Sequence, residues 1–526
     1  MTDERRDPPA DAAADPRLDV VGQAVALPAG TVTPLVATSP VAPPPGDEGG
    51  QPAAPSVEQP GKRRYDRSII QGPLAAAVWK IAWPSVLANV IGGLQGIVDH
   101  IMVGRLVGFS ANAAIGVSYQ IFLVVFVFLS SLVTGMAVLV ARFVGAGEEE
   151  KVDNTVYQAF LTCMGIVVGI MAPVGYFASP WLLQLVNAEP AVIAEALPFL
   201  RVMFVFSAGM MIFLMLGGAL RSAGDARTPM MLGIVMTVLN ALLNVILIRG
   251  LGPIPAFGTT GAAMGTVIAS GLVGAYSLMR LWRGGWVVRF PRERARLRPD
   301  WRIIRELFRF GLPTGIQGIA MNVGGVLMLA FIGSLAQSAA AQAVFAVAYS
   351  QLFSLITWTS LGLMGAAAAV AGQNLGAAQP DRAERSVHLA ARFGVGGAVV
   401  IGSLFVFIPD TLLAVFGMTE PEVVRIGVPL LHVLSLSGIL VAIALTYTGG
   451  LQGTGDTKSP LYISIVSQVV IPLGICFVIR ETGTLDPLDV WLAILAGHAA
   501  RCLLSVVRFN QGQWRYIRVG VGMDAR

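Results

Sequence analysis

An aspartate stands at position 99, deep inside the run Pro84 to Gly104, PSVLANVIGGLQGIVDHIMVG, an apolar stretch of helix length with no other carboxylate. An acid at membrane depth is costly whether charged or neutral, so it faces a water-filled path or the interior of a helix bundle and marks a functional site by default. Burial raises a carboxylate's proton affinity and a nearby cation lowers it. Asp99 is therefore suited to hold a proton in one conformation and release it, or take up a sodium ion, in another.

The rest of the chain must place that acid in a membrane. Of 526 residues, 55% are hydrophobic and only 13% charged, and the mean hydropathy is +0.70; a soluble domain carries about 25% charged residues. The composition indicates an all-α polytopic membrane protein. A net charge of +5 does not point to nucleic acid, because the arginines lie between apolar runs, where they act as topology signals. Cys163, Cys476 and Cys502 fall in separate runs, as do His100, His388, His432 and His498. No metal or redox spacing emerges.

Residues 1–68 are rich in Pro, Ala, Asp and Gly and lack an apolar period, which predicts a disordered tail rather than a cleaved leader. Twelve spans follow, from 79–103 and 113–141 to 459–480 and 487–507, each near the ~20 residues a bilayer requires. They divide into a first six-helix lobe over 69–282, a basic linker over 283–311, a second lobe over 312–507 and a C-terminal tail over 508–526. The linker, with Arg289, Arg292, Arg294, Arg296 and Arg298, reads as a solvated connector beside anionic headgroups. Lys62, Arg63, Arg64, Lys151, Arg221, Arg227, Arg382 and Lys458 fall on the linker's side of the membrane. Positive charge thus predicts that both termini are cytoplasmic, in the plasma (inner) membrane.

The halves repeat. Gly218-Ala219-Leu220-Arg221-Ser222-Ala223-Gly224-Asp225-Ala226-Arg227-Thr228-Pro229 returns as Gly449-Gly450-Leu451-Gln452-Gly453-Thr454-Gly455-Asp456-Thr457-Lys458-Ser459-Pro460, and Gly145-Ala146 returns as Gly376-Ala377. Each member lies 231 residues after its counterpart. Six spans per half give both lobes one orientation and a pseudo-two-fold axis along the membrane normal. The repeated hairpin predicts a glycine helix stop, an Asp and Thr/Ser cap, and a proline opening the next helix.

The Pro84-to-Asp99 helix, the Gly145-Ala146-Gly147 turn, the Leu220-Arg221-x-x-Gly224-Asp225-x-Arg227-Thr228-Pro229 hairpin and the Leu239-Asn240-x-x-Leu243-Asn244 segment, in this order, resemble the multidrug and toxic compound extrusion (MATE) family over about residues 75–505. The resemblance implies a V-shaped pair of lobes that expels organic, often cationic, drugs and toxic compounds in exchange for protons or sodium by alternating access, without a cofactor or resident metal. It implies an ion site at Asp99, Asn240, Asn244 and Thr266, with sodium, if used, at Asp99. The acids that sodium-coupled NorM-like members carry in the seventh and tenth helices align near Met321 and Val441, so the chain resembles the DinF-like branch with its single first-helix Asp.

The repeat also separates this polar set from the scaffold. Asp99 aligns with Met328, and Asn240 and Asn244 align with Ile471 and Ile475. Gln317, Asn322, Tyr349 and Gln351 are expected to line a substrate cavity in the second lobe. Small organic substrates and membrane lipids are the expected partners, with no nucleic acid, and a monomer suffices. A flippase for a lipid-linked sugar precursor is the alternative; it requires a cationic cavity, and most arginines lie in loops or at span ends, Arg201 excepted. A membrane enzyme would require a nucleophile, base and metal constellation that the scattered His and Cys residues do not supply.

Overall fold

The computed structural model describes residues 65–520, apart from 108, 187–188, 292 and 294–296 and the side chains at 97, 99–101, 104–106 and 109–113. The tail expected over 1–68 lies almost wholly outside these residues. Among them, every regular element is helical. Short turns of helix apart, those of the first lobe are α1 (Leu74–Leu106), α2 (Phe109–Ala146), α3 (Glu149–Leu185), α4 (Pro190–Val205), α5 (Ala208–Ser222), α6 (Arg227–Arg249) and α7 (Gly258–Arg283). In the second they are α8 (Trp301–Gly333), α9 (Ser338–Gly376), α10 (Pro380–Phe407), α11 (Pro421–Thr454), α12 (Lys458–Thr482) and α13 (Pro487–Asn510). Among the described residues eleven helices are long and apolar enough to cross a membrane, or twelve when α4 and α5, joined at a 51° bend, are taken as one span.

Local winding follows the prolines. The π-helical turns Val167–Met171 in α3 and Val466–Val470 in α12 each run into an X-Pro pair, Ala172-Pro173 and Ile471-Pro472. Proline has no N–H and its ring crowds the carbonyl four residues back, so a widened turn relieves both problems without ending the helix. A third π segment, Phe345–Leu352 in α9, has no proline after it.

Both repeated hairpins close in the same way. Gly224 (φ 98°) and Gly455 (φ 99°) take the left-handed conformation that ends the helix. Asp225 then accepts from the Thr228 N–H at 3.0 Å, and Asp456 from the Ser459 N–H at 3.1 Å.

Three apolar cores hold the chain. One belongs to the first lobe and one to the second. A third joins Val78, Ile81 and Ala82 of α1 to Ala366, Ala367 and Val370 of α9. Conversely, Ile303, Leu307 and Phe310 of α8 are part of the first lobe's core. The opening helix of each half thus packs its first turns into the opposite lobe.

The lobes meet at the end that carries the basic loops. There α2 and α9 cross so closely that a Cβ on Gly145 would lie 2.0 Å from the Gln373 carbonyl oxygen, and one on Gly376 would lie 2.1 Å from that of Arg142. Gln373 Nε2 donates to the Ser222 carbonyl (2.7 Å), and Arg142 Nη2 donates to those of Thr454 (2.8 Å) and Ile517 (3.1 Å).

Two segments are more ordered than a loop reading suggests. The stretch between the lobes is strapped to α3: Arg289 pairs with Asp153 at 3.2 Å, Gln158 donates to the Arg298 carbonyl at 2.7 Å, and Phe290 is buried against Tyr157 and Phe160. Helix α8 then begins at Trp301 rather than at 312. After α13, Trp514 stacks on Phe509 at 5.0 Å, and Arg515 binds Asp381 and Glu384. The hydrogen bond with Glu384 is the main cause that raises the Arg515 guanidinium above its ordinary value.

Candidate ion site of the first lobe

The side chain of Asp99 lies outside the described residues, so its position is fixed here by helix register alone. Four residues earlier, on the same face of α1, Gln95 Oε1 accepts from Thr237 Oγ1 of α6 at 2.8 Å. Helices α1 and α6 are the first and fifth spans and run in the same direction. Position 99 is one turn beyond Gln95, and Asn240 is nearly one turn beyond Thr237. Residues 99 and 240 therefore share a level in the bundle.

At that level the structure brings together three of the residues expected from the sequence. Asn244 Nδ2 donates to Asn240 Oδ1 (3.4 Å), Asn240 Nδ2 to Thr266 Oγ1 (3.1 Å), and Thr266 Oγ1 to the Ala262 carbonyl (3.1 Å). Asn240 and Asn244 are buried. Their spacing of four puts both on one face of α6, and α7 admits them because residue 265 is glycine: a Cβ there would fall 2.1 Å from Asn244 Oδ1. The result is a strip of amide and hydroxyl oxygens inside an apolar lobe. Such groups are hard ligands for sodium and equally good partners for a protonated acid. Gln95, Thr237 and Gly265 were not singled out in the sequence; their signal is spacing from Asp99, Asn240 and Thr266.

The four residues expected to line a cavity in the second lobe have these surroundings. Gln317 is buried inside the second lobe, donating to Ser464 Oγ (2.8 Å) and accepting from Gln452 (3.4 Å). Asn322 donates to the Gly318 carbonyl one turn back (2.9 Å). Tyr349 stacks between Phe345 and Phe353 at 4.7 and 5.4 Å, and the Gln351 carbonyl accepts from Ser354. No hydrogen bond or ring contact joins any two of the four among the described residues. Arg201 lies over the Tyr176 ring at 4.4 Å and reaches the Tyr176 carbonyl, at the contact between α3 and α4.

The sequence profile of the MatE family matches residues 84–246 and again 313–478, most of both lobes. The chain belongs to the MatE family. It is 29% identical over 445 residues to a probable multidrug resistance protein NorM of Thermotoga maritima, covering 83% of this chain and 92% of that one. It is 26% identical to the probable multidrug resistance protein YoeA of Bacillus subtilis, covering 82% and 92%. Among solved structures, an outward-facing multidrug resistance MATE family transporter superposes with a TM-score of 0.79 at 21% identity, over 87% of this chain and 98% of that one. A MATE crystal structure in the straight conformation gives 0.78 at 21% identity, over 86% and 98%. MatE proteins are membrane transporters and not enzymes, and the two-lobed all-α fold is theirs.

Proposed function

We propose that this chain is an antiporter that exports organic compounds, cationic drugs among them, in exchange for protons or sodium, with Asp99 as the ion-binding acid. Asn240, Asn244 and Thr266 supply the neutral ligands of that ion, and Gln95 and Thr237 hold α1 against α6 at its level. The observation that carries this reading is the buried Asn244–Asn240–Thr266 strip, whose asparagines align with Ile471 and Ile475 in the second lobe. A residue needed only to build the six-helix unit would recur in both copies. The names of the relatives, as multidrug resistance proteins, support the efflux half of the reading.

Both termini and the basic loops lie in the cytoplasm on this reading, in the plasma membrane, and one chain works as a monomer without a cofactor. The Gly145–Gly376 crossing then shuts the cytoplasmic end, and the lobes separate toward the outside. Ion binding at Asp99 favours release of substrate outward; ion loss to the cytoplasm accompanies reloading. The ion gradient sets the direction, because a ligand shifts the equilibrium only by its differential affinity for the two states.

The test is uptake of a fluorescent organic cation into inverted vesicles under a proton gradient or a sodium gradient, with wild type and Asp99→Asn side by side. Gradient-driven uptake that disappears in the variant is the expected result and names the ion. Undiminished transport by a folded Asp99→Asn protein would overturn the assignment.

A further inference from the structure

The second lobe buries a cation of its own. Arg501 lies within α13, about 21 Å along the helix from Pro487 and about 14 Å from Asn510 at 1.5 Å per residue, and is only 7% exposed. His498, three residues before it on the same face, is 4% exposed. No carboxylate lies within ion-pairing distance of Arg501 among the described residues, and no protein group accepts from its Nε. Among the described residues both ring nitrogens of His498 also lack a partner, as does Gln468 Nε2 on the π-helical turn of α12 that packs against α13.

An arginine buried in a membrane lobe with no carboxylate partner among the described residues is expensive. The surroundings are aromatic. Trp491, Phe345, Tyr349 and Phe353 form a continuous column, with ring centroids 6.1, 4.7 and 5.4 Å apart, ending on His498 at 5.9 Å. Tyr349 belongs to the π segment of α9, where the ordinary helical ladder is interrupted.

We propose that the second lobe contains an anion site in which Arg501, with His498 one turn before it, binds the carboxylate or phosphate of an amphiphilic organic molecule whose apolar part lies along the aromatic column. The guanidinium fork matches either oxyanion with two parallel N–H donors. Binding here stands independently of the first-lobe ion site; only the step from binding to export rests on the efflux reading. The pairing of an acid in one lobe with an unneutralised base in the other extends the substrate range to anionic and zwitterionic compounds.

The experiment is thermal unfolding of the purified full chain in neutral detergent, with wild type, Arg501→Gln, Arg501→Met and Arg501→Lys. The probes are 2-naphthoate, neutral 2-naphthamide, inorganic phosphate and phosphatidylglycerol. We expect 2-naphthoate or phosphatidylglycerol to raise the wild-type midpoint by several degrees, Arg501→Lys to keep part of the rise, and Arg501→Gln and Arg501→Met to lose it. A rise with 2-naphthoate assigns a soluble anion; one with phosphatidylglycerol alone assigns a lipid headgroup.

Without probe, Arg501→Gln and Arg501→Met should unfold at or above the wild-type temperature, since each removes an uncompensated charge. The proposal is overturned if 2-naphthamide or inorganic phosphate stabilises as well as 2-naphthoate, if the rise persists in Arg501→Gln, or if no probe acts. It is also overturned if both neutral variants unfold earlier, which would mean that the protein itself neutralises Arg501. None of these readouts depends on a gradient, so failure of ion-coupled transport and failure of anion binding are separate results.

Discussion

Arg142 and Gln373 occupy the same place in the two halves, 231 residues apart, and each donates to a backbone carbonyl of the opposite lobe, Arg142 to Thr454 and Gln373 to Ser222. The chemistry differs but the contact is kept, so the closed seam is symmetric in geometry and asymmetric in charge. Removing Gln373 leaves the Ser222 carbonyl without its donor, at a cost of about 1–3 kcal/mol. We expect Gln373→Ala to raise the alkylation rate of a cysteine placed at Ser222, a buried position. An unchanged rate would show that this bond does not hold the seam.

The crossing of α2 and α9 makes a stronger demand. A methyl at Gly145 meets a backbone carbonyl rather than a movable side chain, and neither helix can approach as closely. Gly145→Ala should fold and yet leave the basic end open, with faster labelling at Ser222→Cys than Gln373→Ala gives. Gly474→Ala, whose added carbon meets nothing within 4 Å, is the control and should label at the wild-type rate.

Gly265→Ala tests the first-lobe strip without removing any polar group. Its methyl displaces the Asn244 amide and disturbs the chain of donors through Asn240 to Thr266. The expected result is normal expression with at least a tenfold loss of gradient-driven efflux. Gly271→Ala lies further along the same helix in open space and should transport normally.

The turn after α9 contains Ala378 at φ 57°, the one non-glycine with positive φ among the described residues, where the first half has Gly147 at φ 78°. A left-handed alanine costs about 1 kcal/mol. Ala378→Gly should therefore raise the thermal midpoint, and Gly147→Ala should lower it, as measured by unfolding in detergent. Movement of both midpoints in one direction would refute the equivalence of the two turns.

Much of this architecture is visible in the residues themselves. Twelve apolar runs give the spans, and the repeat pairs Gly145 with Gly376, which meet at the seam, and Asp225 with Asp456, which close equivalent hairpins. Hydropathy ends where charge begins, however, so it placed the start of the seventh span near 312, whereas α8 continues back through Arg302 and Arg305 to Trp301. The charges of the Arg-rich linker suggest a solvated connector, but its apolar residues Val288 and Phe290 are buried and the carbonyls of Leu297 and Arg298 are bonded to α3.

Arg501 is hard to see in the sequence because it sits among twenty or so residues that average apolar. The signal is the face it shares with Trp491, Ile494, His498 and Ser505, which lie ten, seven, three and four residues from it. Side-chain partners across lobes, such as Gln317 with Ser464, have no local signature at all.

The exchange of opening helices has one more consequence. Val78, Ile81 and Ala82 complete a core made by the second half, and Ile303, Leu307 and Phe310 complete one made by the first. Neither half possesses all of its own interior, which is the arrangement of a domain-swapped dimer whose two copies have been joined end to end. Cut within 284–300, the chain should yield two fragments that accumulate only when synthesised together.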